Sequence, residues 1–346
     1  MKPHVIVRRA DRPDAFAAWE ASVEFASGER HPIFGRFGRQ YYPVTYDATL
    51  DQSFAVVQGE RPLLIVPANV FGGVLGHYGQ PMPFIFRHGL AAANCAAAVG
   101  PGLSEIDRLA EAHKVDLVWV RDEISGAALS ALSLGCLARL AAAEIKVHGL
   151  CDLAWDDQRL RRNLRKSFRS LLNWGERNLR TAYVNAANPD RDLFDNFRQF
   201  HSRIAGRATR TAASWDAMFA WIADGGGELA LAYLDDGALV AGTMSVDGAE
   251  ISYYASGVYD RERFDLPLAH FPLYSAVVRA RGRGMRQYDL GELPIAGSST
   301  EKGFNIGYFK RGFATSVEAY LAWRWTRRAV GGSGEGGAGE DGADEG

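Results

Sequence analysis

The chain has 346 residues, of which 47% are apolar and 11% aromatic, so it is long enough for two domains with full cores and is not an intrinsically disordered protein. The formal charge of −2 conceals a Gly-rich tail at residues 331–346 with five acids and no base, and without this tail the chain carries +3, short of the strongly basic balance of a dedicated RNA-binding protein. No stretch of 18 apolar residues and no signal peptide is visible, which predicts a soluble, cytoplasmic protein without a transmembrane segment.

The first half of the chain alternates strand-like and helix-like segments. The predicted elements are two strands around a glycine-containing turn at 54–66, a Gly/Pro-rich loop at 71–83, a short buried strand at 116–120 and an Ala/Leu-rich helix at 126–143. Loops such as 71–83 often line binding sites, because glycine lets a ligand approach the backbone closely.

The second half begins with one predicted helix at 156–180. Its apolar residues recur every three or four positions, as one face of a helix requires: Leu160, Leu164, Phe168, Leu171, Leu172 and Leu179. The same segment carries a basic cluster, which is either an RNA contact or, as we favour, a solvated helix face: Arg161, Arg162, Arg165, Lys166 and Arg169.

The rest of the second half predicts a mixed sheet. The predicted elements are helices at 190–204, from 214 and at 270–282, a three-stranded meander at 228–256 with Asp-Gly turns, and strands at 286–290 and 306–313. Strands and helices that alternate in this way are typical of an α+β fold.

The three cysteines, Cys95, Cys136 and Cys151, have no paired spacing. Neither a disulfide framework nor a zinc site is indicated, and we expect no metal ion.

Five motifs follow one another in the second half: RNLRKSFR at 162–169, FHSRIAGR at 200–207, YYASGV at 253–258, YDLGE at 288–292 and FKRGF at 309–313. In this order and spacing, residues 160–320 resemble the FemABX-like branch of the GNAT N-acyltransferase superfamily, whose peptidoglycan members transfer amino acids from aminoacyl-tRNA. The first half is similar mainly through the loop at 76–81, which makes Tyr78 and Gln80 candidate substrate contacts.

The resemblance implies two GNAT-like domains, each a mixed, mostly antiparallel sheet flanked by helices, with an acceptor cleft at their junction. We place an N-terminal domain at 1–155, a C-terminal acyltransferase domain at 156–330 and a disordered Gly-rich acidic tail at 331–346.

Lys310 is the first candidate catalytic residue. Only six of the 39 basic residues are lysines, and two of them, Lys302 and Lys310, lie within nine residues. Lys310 matches the lysine that Fem-type enzymes place at the reacting centre, where a positive charge stabilises the oxyanion of acyl transfer. The alternative is a strand lysine whose head group reaches solvent. Lys302, in a predicted loop, is a candidate neighbour.

Other candidates take supporting roles. Arg207 matches the arginine that holds an acceptor diphosphate in related peptidoglycan enzymes, or else it caps a helix C-terminus. His201 and His270 are candidate bases or substrate contacts, with packing at helix ends as the alternative.

A tyrosine and an acid complete the set. Tyr253 and Tyr254 alternate on a strand, so one faces the cleft, and we favour Tyr254. Asp289, like Glu292, flanks Gly291 after a strand, where an acid can orient the amine or Lys310; a structural turn is the alternative.

The acyl donor is a co-substrate, and no bound cofactor is expected. A CoA-dependent GNAT enzyme cradles pyrophosphate on a Gly-rich loop, whereas residues 258–267 contain no glycine. This favours aminoacyl-tRNA over acetyl-CoA or acyl-CoA. The expected function is transfer of an aminoacyl or acyl group to an amino group of a cell-envelope, peptidoglycan or other glycan precursor. The alternatives are a CoA-dependent acetyltransferase of polysaccharide biosynthesis and an inactive GNAT-pair binding module.

Overall fold

The computed structural model describes residues 3–25, 31–46, 49–124, 126, 128–263, 265–295 and 300–326, without the side chains of Val23 and Lys302. The predicted tail at 331–346 and the predicted role of the Lys302 side chain lie outside this part of the chain. None of the helices within these ranges has the length and apolarity that a bilayer crossing requires.

The helices are α1 (Pro13–Glu20), α2 (Arg36–Thr45), α3 (Ala92–Ala112), α4 (Ala131–Leu137), α5 (Asp157–Asn163), α6 (Lys166–Asn178), α7 (Arg191–Ala205), α8 (Ala212–Ala223), α9 (His270–Gly282) and α10 (Glu301–Arg311). The strands are β1 (His4–Arg8), β2 (Leu50–Asp51), β3 (Phe54–Gln58), β4 (Arg61–Val66), β5 (Asn69–Phe71), β6 (Val74–Gly76), β7 (Met82–Pro83), β8 (Ile85–Phe86), β9 (Leu117–Glu123), β10 (Ala142–Asp152), β11 (Arg180–Val184), β12 (Gly227–Tyr233), β13 (Leu239–Asp247), β14 (Ile251–Tyr259), β15 (Gln287–Glu292) and β16 (Ser316–Thr326).

The strands form two sheets. The smaller is antiparallel, in the order β1-β3-β4-β8. The larger runs β11-β12-β13-β14-β15-β10-β16-β9-β6-β5-β2, with β7 also paired to β9. Most of its neighbours are antiparallel, but β14 and β15 are parallel, as are the pairs of β9 with β6 and β7. The predicted α+β fold with mixed sheets is confirmed.

The larger sheet joins the two halves of the chain. The last described strand, β16, lies between β10 and β9, and its Trp323 and Trp325 are buried in the core that β3, β4, β9 and α3 form. The proposed boundary at residue 155 stays a prediction.

Different helices cover the two faces of the second-half sheet. One face packs against α2, α7 and α8 through aromatic side chains, including Phe37, Phe194, Phe197 and Trp215. The other packs against α5, α6 and α9, including Leu160, Phe168, Leu172 and Val277. Strand β15 lies between these two layers and presents alternate side chains to each.

Two helix predictions were wrong in their extent. Residues 156–180 form α5 and α6 rather than one helix, since Leu164 is extended (φ −51°, ψ 145°) and the Arg165 N–H donates to Gly312 O at 2.9 Å. In the first half, α4 covers only Ala131–Leu137 of the predicted 126–143, and strand β10 begins at Ala142. The hairpin at 54–66 and the meander with its Asp-Gly turns are confirmed.

The predicted strand at 306–313 is wrong, because Lys310 lies on helix α10. Thr300 caps the helix by accepting a hydrogen bond from the Gly303 N–H at 3.2 Å. The apolar side chains of Phe304, Ile306 and Tyr308 are 45%, 47% and 56% exposed, so they form no buried strand face. The helix instead buries Gly307 against Pro294, where a Cβ would lie 2.3 Å from Pro294 Cδ.

Candidate active site

A slot opens where the parallel strands β14 and β15 separate. They pair from Ile251 opposite Gln287 to Tyr253 opposite Asp289, and within the described strands no pairing of the two continues beyond that point. Strand β14 runs on to Tyr259 along β13, past a bulge. Backbone groups that leave a ladder need other partners, so such a slot is suited to a ligand.

Lys310 reaches this slot from α10. Its Nζ lies beside Gly291, where a Cβ would be 3.1 Å from it, and 5.3 Å from the centroid of the Tyr254 ring. Gly291 has φ +82°, which also favours glycine. Burial lowers the pKa of Lys310, while the negative charges of Asp289 and Glu292 act in the opposite direction.

Asp289 accepts hydrogen bonds from three groups at the centre of the site. Its Oδ2 lies 2.8 Å from both His31 Nε2 and His148 Nδ1, and its Oδ1 accepts from the Gly291 N–H at 2.6 Å. Burial favours the neutral acid, but the hydrogen bonds from His148 and His31 prevail and hold the pKa of Asp289 far below its usual range.

Three segments bring these groups together. Asp289 lies in β15, between Tyr253 of β14 and Leu150 of β10. In the β10–β15 pairing the register shifts between His148 and Leu150, and the imidazole of His148 lies against the carboxylate of Asp289. His31 comes from the turn before α2, and its ring packs 5.1 Å from that of Tyr253.

The His31 ring has both nitrogens engaged. The Ile33 N–H donates to Nδ1 at 3.3 Å, so the proton of a neutral imidazole is on Nε2, which donates to Asp289. Burial lowers the pKa of His31 and so favours the neutral ring, while the hydrogen bond to Asp289 acts in the opposite direction.

Aromatic side chains and an arginine pack beside the two histidines. The Tyr320 ring packs 5.6 Å from that of His148, and Arg121 Cζ lies 3.7 Å above the Tyr320 ring. Arg121 also lies over Phe34, at 5.5 Å, and Phe34 contacts His31. Within the described residues, no group of three or more His, Cys, Asp or Glu side chains is arranged to hold a metal ion.

The structure brings several predicted site residues together. Lys310, Asp289 and Tyr254 meet at the slot, and Tyr253 contributes as well. Tyr78 and Gln80 lie farther along the same face: the Tyr78 ring stacks on Tyr42 at 5.0 Å, and Gln80 Nε2 donates to Tyr42 Oη at 3.4 Å.

Other predicted residues have packing contacts. His201 lies against Trp215, and burial lowers its pKa to about 4. His270 packs between Phe168 and Phe309, and burial lowers its pKa too. These contacts match the packing alternative, and the predicted roles of both histidines stay untested predictions.

Arg207 is exposed just beyond α7 and stays a predicted acceptor contact. The nearby Arg210 turns inwards, with Nε donating to Tyr41 Oη at 3.1 Å and Nη2 to Ala255 O at 3.4 Å.

Sequence reasoning missed His31, His148, Tyr320 and Arg121. His148 and Tyr320 lie on β10 and β16, two long strands that were not predicted, and which pair with each other from Ala142 opposite Arg324 to Leu150 opposite Ser316. A strand prediction for β10 would have placed His148 and Lys146 on one face. No local signal points to His31.

The second half of the chain matches a known protein family. Residues 158–303 match the family described as "Acetyltransferase (GNAT) domain". No curated protein sequence matches the chain.

Solved structures share the fold at low sequence identity. FemX is 13% identical with a TM-score of 0.62, covering 86% of this chain and 94% of its own. A tandem GNAT protein from the clavulanic acid biosynthesis pathway is 15% identical (TM-score 0.56; 95% and 100% covered). L-PGS from Bacillus licheniformis is 12% identical (TM-score 0.51; 81% and 85% covered). These likenesses show that the chain has the fold of tandem GNAT proteins.

Proposed function

We propose that this chain, whose residues 158–303 match the GNAT acyltransferase superfamily, is an N-acyltransferase that transfers an aminoacyl group from aminoacyl-tRNA to an amino group of a cell-envelope or glycan precursor. The observation that carries the proposal is the position of Lys310 Nζ beside Gly291, where β14 and β15 separate. The superfamily match implies an acyl donor as co-substrate; the choice of donor and acceptor is our proposal.

Lys310 supplies the positive charge that acyl transfer requires. When an amine attacks an ester carbonyl, the carbonyl oxygen becomes an oxyanion, and a preorganised donor there is worth roughly 3–4 kcal/mol. A buried lysine tends to lose its proton, and the neighbouring carboxylates of Asp289 and Glu292 oppose that loss.

The same burial argues against the inactive binding module. Placing an ammonium group and a carboxylate inside the protein is costly unless both are paired and hydrogen-bonded. Asp289 here has three donors. The Nζ of Lys310 lies beside Gly291 and is desolvated by burial. A module without chemistry gains nothing from this arrangement.

The start of helix α9 favours aminoacyl-tRNA over CoA as the donor. A helix N-terminus binds pyrophosphate through free backbone N–H groups. Here the N–H of His270 donates to Pro267 O, that of Leu273 donates to Ala269 O, and Pro272 has none. Of residues 270–273, Phe271 is left to offer its N–H to an anion.

A groove of about 940 Å³ adjoins the end of β14 and supports a large donor. It is lined by Arg203, Arg261 and Arg263, with Asp260 and Glu262 among them. Arginines in such a position suit phosphates of a nucleic acid, which need clustered positive charge more than a shaped cradle.

The acceptor would approach on the face of Asp289, where Tyr253 packs against His31 and Arg210 donates to Ala255 O. Tyr254 packs into the opposite layer beside Lys310 and stays a predicted substrate contact. Tyrosine rings and an arginine fork are suited to a sugar and a phosphate, respectively. The exposed Arg207 is our candidate for an acceptor diphosphate.

The test is transfer of a labelled amino acid from charged tRNA to UDP-linked peptidoglycan precursors, run beside labelled acetyl-CoA. Lys310→Gln should lower kcat about 10²–10³-fold, because it removes the charge at the oxyanion. Lys114→Gln, at an exposed lysine, is the matched control and should keep the wild-type rate.

Two results would count against the proposal. A wild-type rate for Lys310→Gln would remove this lysine from the chemistry. Turnover of acetyl-CoA without turnover of charged tRNA would favour the CoA-dependent alternative. Binding is checked separately, since a donor at 100 times its Kd should stabilise the fold by about 2.7 kcal/mol.

A further inference from the structure

We propose that His148 is the general base of this site, taking the proton of the attacking amine on Nε2, and that His31 is a positioning residue that acts through Asp289. The inference rests on the proposed acyl transfer. It assigns a catalytic role to a residue that no sequence motif singled out.

Asp289 orients His148 in the way that an acid orients a catalytic imidazole. His148 Nδ1 lies 2.8 Å from Asp289 Oδ2, and the carboxylate, which accepts only, requires the proton on Nδ1. The neutral ring therefore has its lone pair on Nε2. An aspartate that fixes this tautomer also stabilises the imidazolium that forms when the base takes up a proton.

The free edge of the His148 ring is accessible. Its side chain is 12% exposed, and among the described residues no hydrogen bond engages Nε2. The ring packs edge-on against Tyr320, which holds its plane. A base needs an oriented ring with one open nitrogen, and His148 has both.

His31 cannot serve in the same way. Its Nε2 donates to Asp289 and its Nδ1 accepts from the Ile33 N–H, so neither nitrogen is open. Its contribution is a second hydrogen bond to Oδ2, which holds the carboxylate in position and keeps it ionised. This bond also ties the segment before α2 to the centre of the second-half sheet.

The two carboxylate oxygens of Asp289 face different groups, one towards the proposed base and the other towards the cation Lys310. Oδ1 is on the side of Gly291, whose backbone lies next to Lys310 Nζ, whereas Oδ2 is on the side of the histidines. One carboxylate thereby supports the group that neutralises the oxyanion and the group that takes the proton.

The proton and bond changes balance without a further reactant. The amine nitrogen forms a bond to the carbonyl carbon, and His148 Nε2 takes one proton from that nitrogen. The bond from carbon to the leaving oxygen then breaks, and the imidazolium returns its proton to that oxygen. The products are the amide and the free hydroxyl of the donor.

The titratable and charged groups on the elements around His148 are Lys146 on β10, Asp289 and Glu292 on β15, Glu318 and Tyr320 on β16, Arg121 on β9, Tyr253 on β14, Lys310 on α10 and His31.

Two variants separate the base from the positioning residue. In His148→Asn the amide nitrogen takes the place of Nδ1 and keeps the donor to Asp289, but no base remains; kcat should fall about 10²–10⁴-fold, and the acid limb of the pH–rate profile should disappear. In His31→Gln the amide nitrogen takes the place of Nε2; the acid limb should remain and kcat should change less than tenfold. Imidazole added to His148→Ala should restore part of the rate.

A second measurement does not depend on turnover. Spectra of ¹⁵N-histidine-labelled protein, assigned by comparison with the two variants, should show His148 as the Nδ1–H tautomer and His31 as the Nε2–H tautomer.

The outcomes distinguish this inference from the proposed function. If His148→Asn keeps the wild-type kcat and acid limb while Lys310→Gln is impaired, the base assignment is wrong and acyl transfer stands. If His148 is found as the Nε2–H tautomer, the base assignment is wrong whatever the activity. If wild-type protein transfers no acyl group from any donor, the proposed function itself fails.

Discussion

The two faces of strand β15 are equally buried, but one packs apolar side chains and the other forms the candidate site. Tyr288 and Leu290 point into the apolar layer under α5, α6 and α9 and are fully buried, and Asp289, which points the other way, is 2% exposed. What differs is the set of partners. The face with Tyr288 and Leu290, here called the lower face, contacts apolar side chains. The face with Asp289, here called the upper face, provides three hydrogen-bond donors to one carboxylate. Burial alone therefore does not identify the site; the direction of the donors does.

The largest effect should come from removing the acceptor of the upper face. Asp289→Ala leaves two histidines, the Gly291 N–H and Lys310 without their shared carboxylate, which should cost about 3–5 kcal/mol of unfolding free energy and abolish acyl transfer. Urea unfolding measures the loss of unfolding free energy, and the transfer assay measures the loss of activity. Leu290→Ala is the matched change on the lower face: it should cost about 2–5 kcal/mol and leave kcat near wild type in the folded protein.

The same network predicts how stability depends on pH. The pKa of Asp289 is held below its ordinary value of 3.8, so its contribution is present above that value and is lost as the pH falls further. The pKa of His31 is lowered from 6.5, so the unfolded chain binds a proton more readily and stability begins to fall below about pH 6.5. Asp289→Ala should remove the part of the acid loss that lies below about pH 3.8. The part due to His31 should remain, because burial lowers the pKa of that ring while Asp289 acts to raise it. An unchanged acid dependence would show that the network does not hold the fold.

Gly291→Ala should have an intermediate effect and act on the upper face alone. The new Cβ would lie 3.1 Å from Lys310 Nζ, and alanine at φ +82° is strained by about 1–2 kcal/mol. We expect kcat to fall about tenfold or more, because Nζ must move away from the reacting carbonyl. Gly284→Ala, at φ +90° with open space around its Cβ, is the control for strain without displacement. Equal loss of activity in both variants would mean that strain, and not the position of Lys310, matters.

The sequence predicted the second half better than the first, and for physical reasons. Asp-Gly turns between apolar runs are local signals, and they placed β12, β13 and β14 well. The helix that carries Lys310 was wrongly predicted as a strand. Its apolar side chains Phe304, Ile306 and Tyr308 are exposed, so the sequence carries no buried helical face that would have identified it.

The candidate site was predictable only in part. Lys310 and Asp289 stand in motifs, so a resemblance could find them. His31 and His148 lie 258 and 141 residues from Asp289 in the chain, and only the assembled sheet brings them to its carboxylate. A single histidine in a strand or a turn has no spacing pattern, whereas His201 and His270 stand in or near the motifs and were therefore the histidines predicted from the sequence.

The smallest effect should come from a buried polar pair on the lower face. Tyr288 Oη and Ser245 Oγ lie 2.8 Å apart, both buried. Tyr288→Phe leaves the Ser245 hydroxyl without this partner and should cost about 1–2 kcal/mol with kcat unchanged. Adding Ser245→Ala should recover part of that cost, since removing both partners is cheaper than leaving one buried and unsatisfied. Urea unfolding of the single and double variants measures the difference. A loss of kcat in Tyr288→Phe would mean that packing on the lower face also positions the catalytic groups on the upper face. The two faces of β15 would then be coupled.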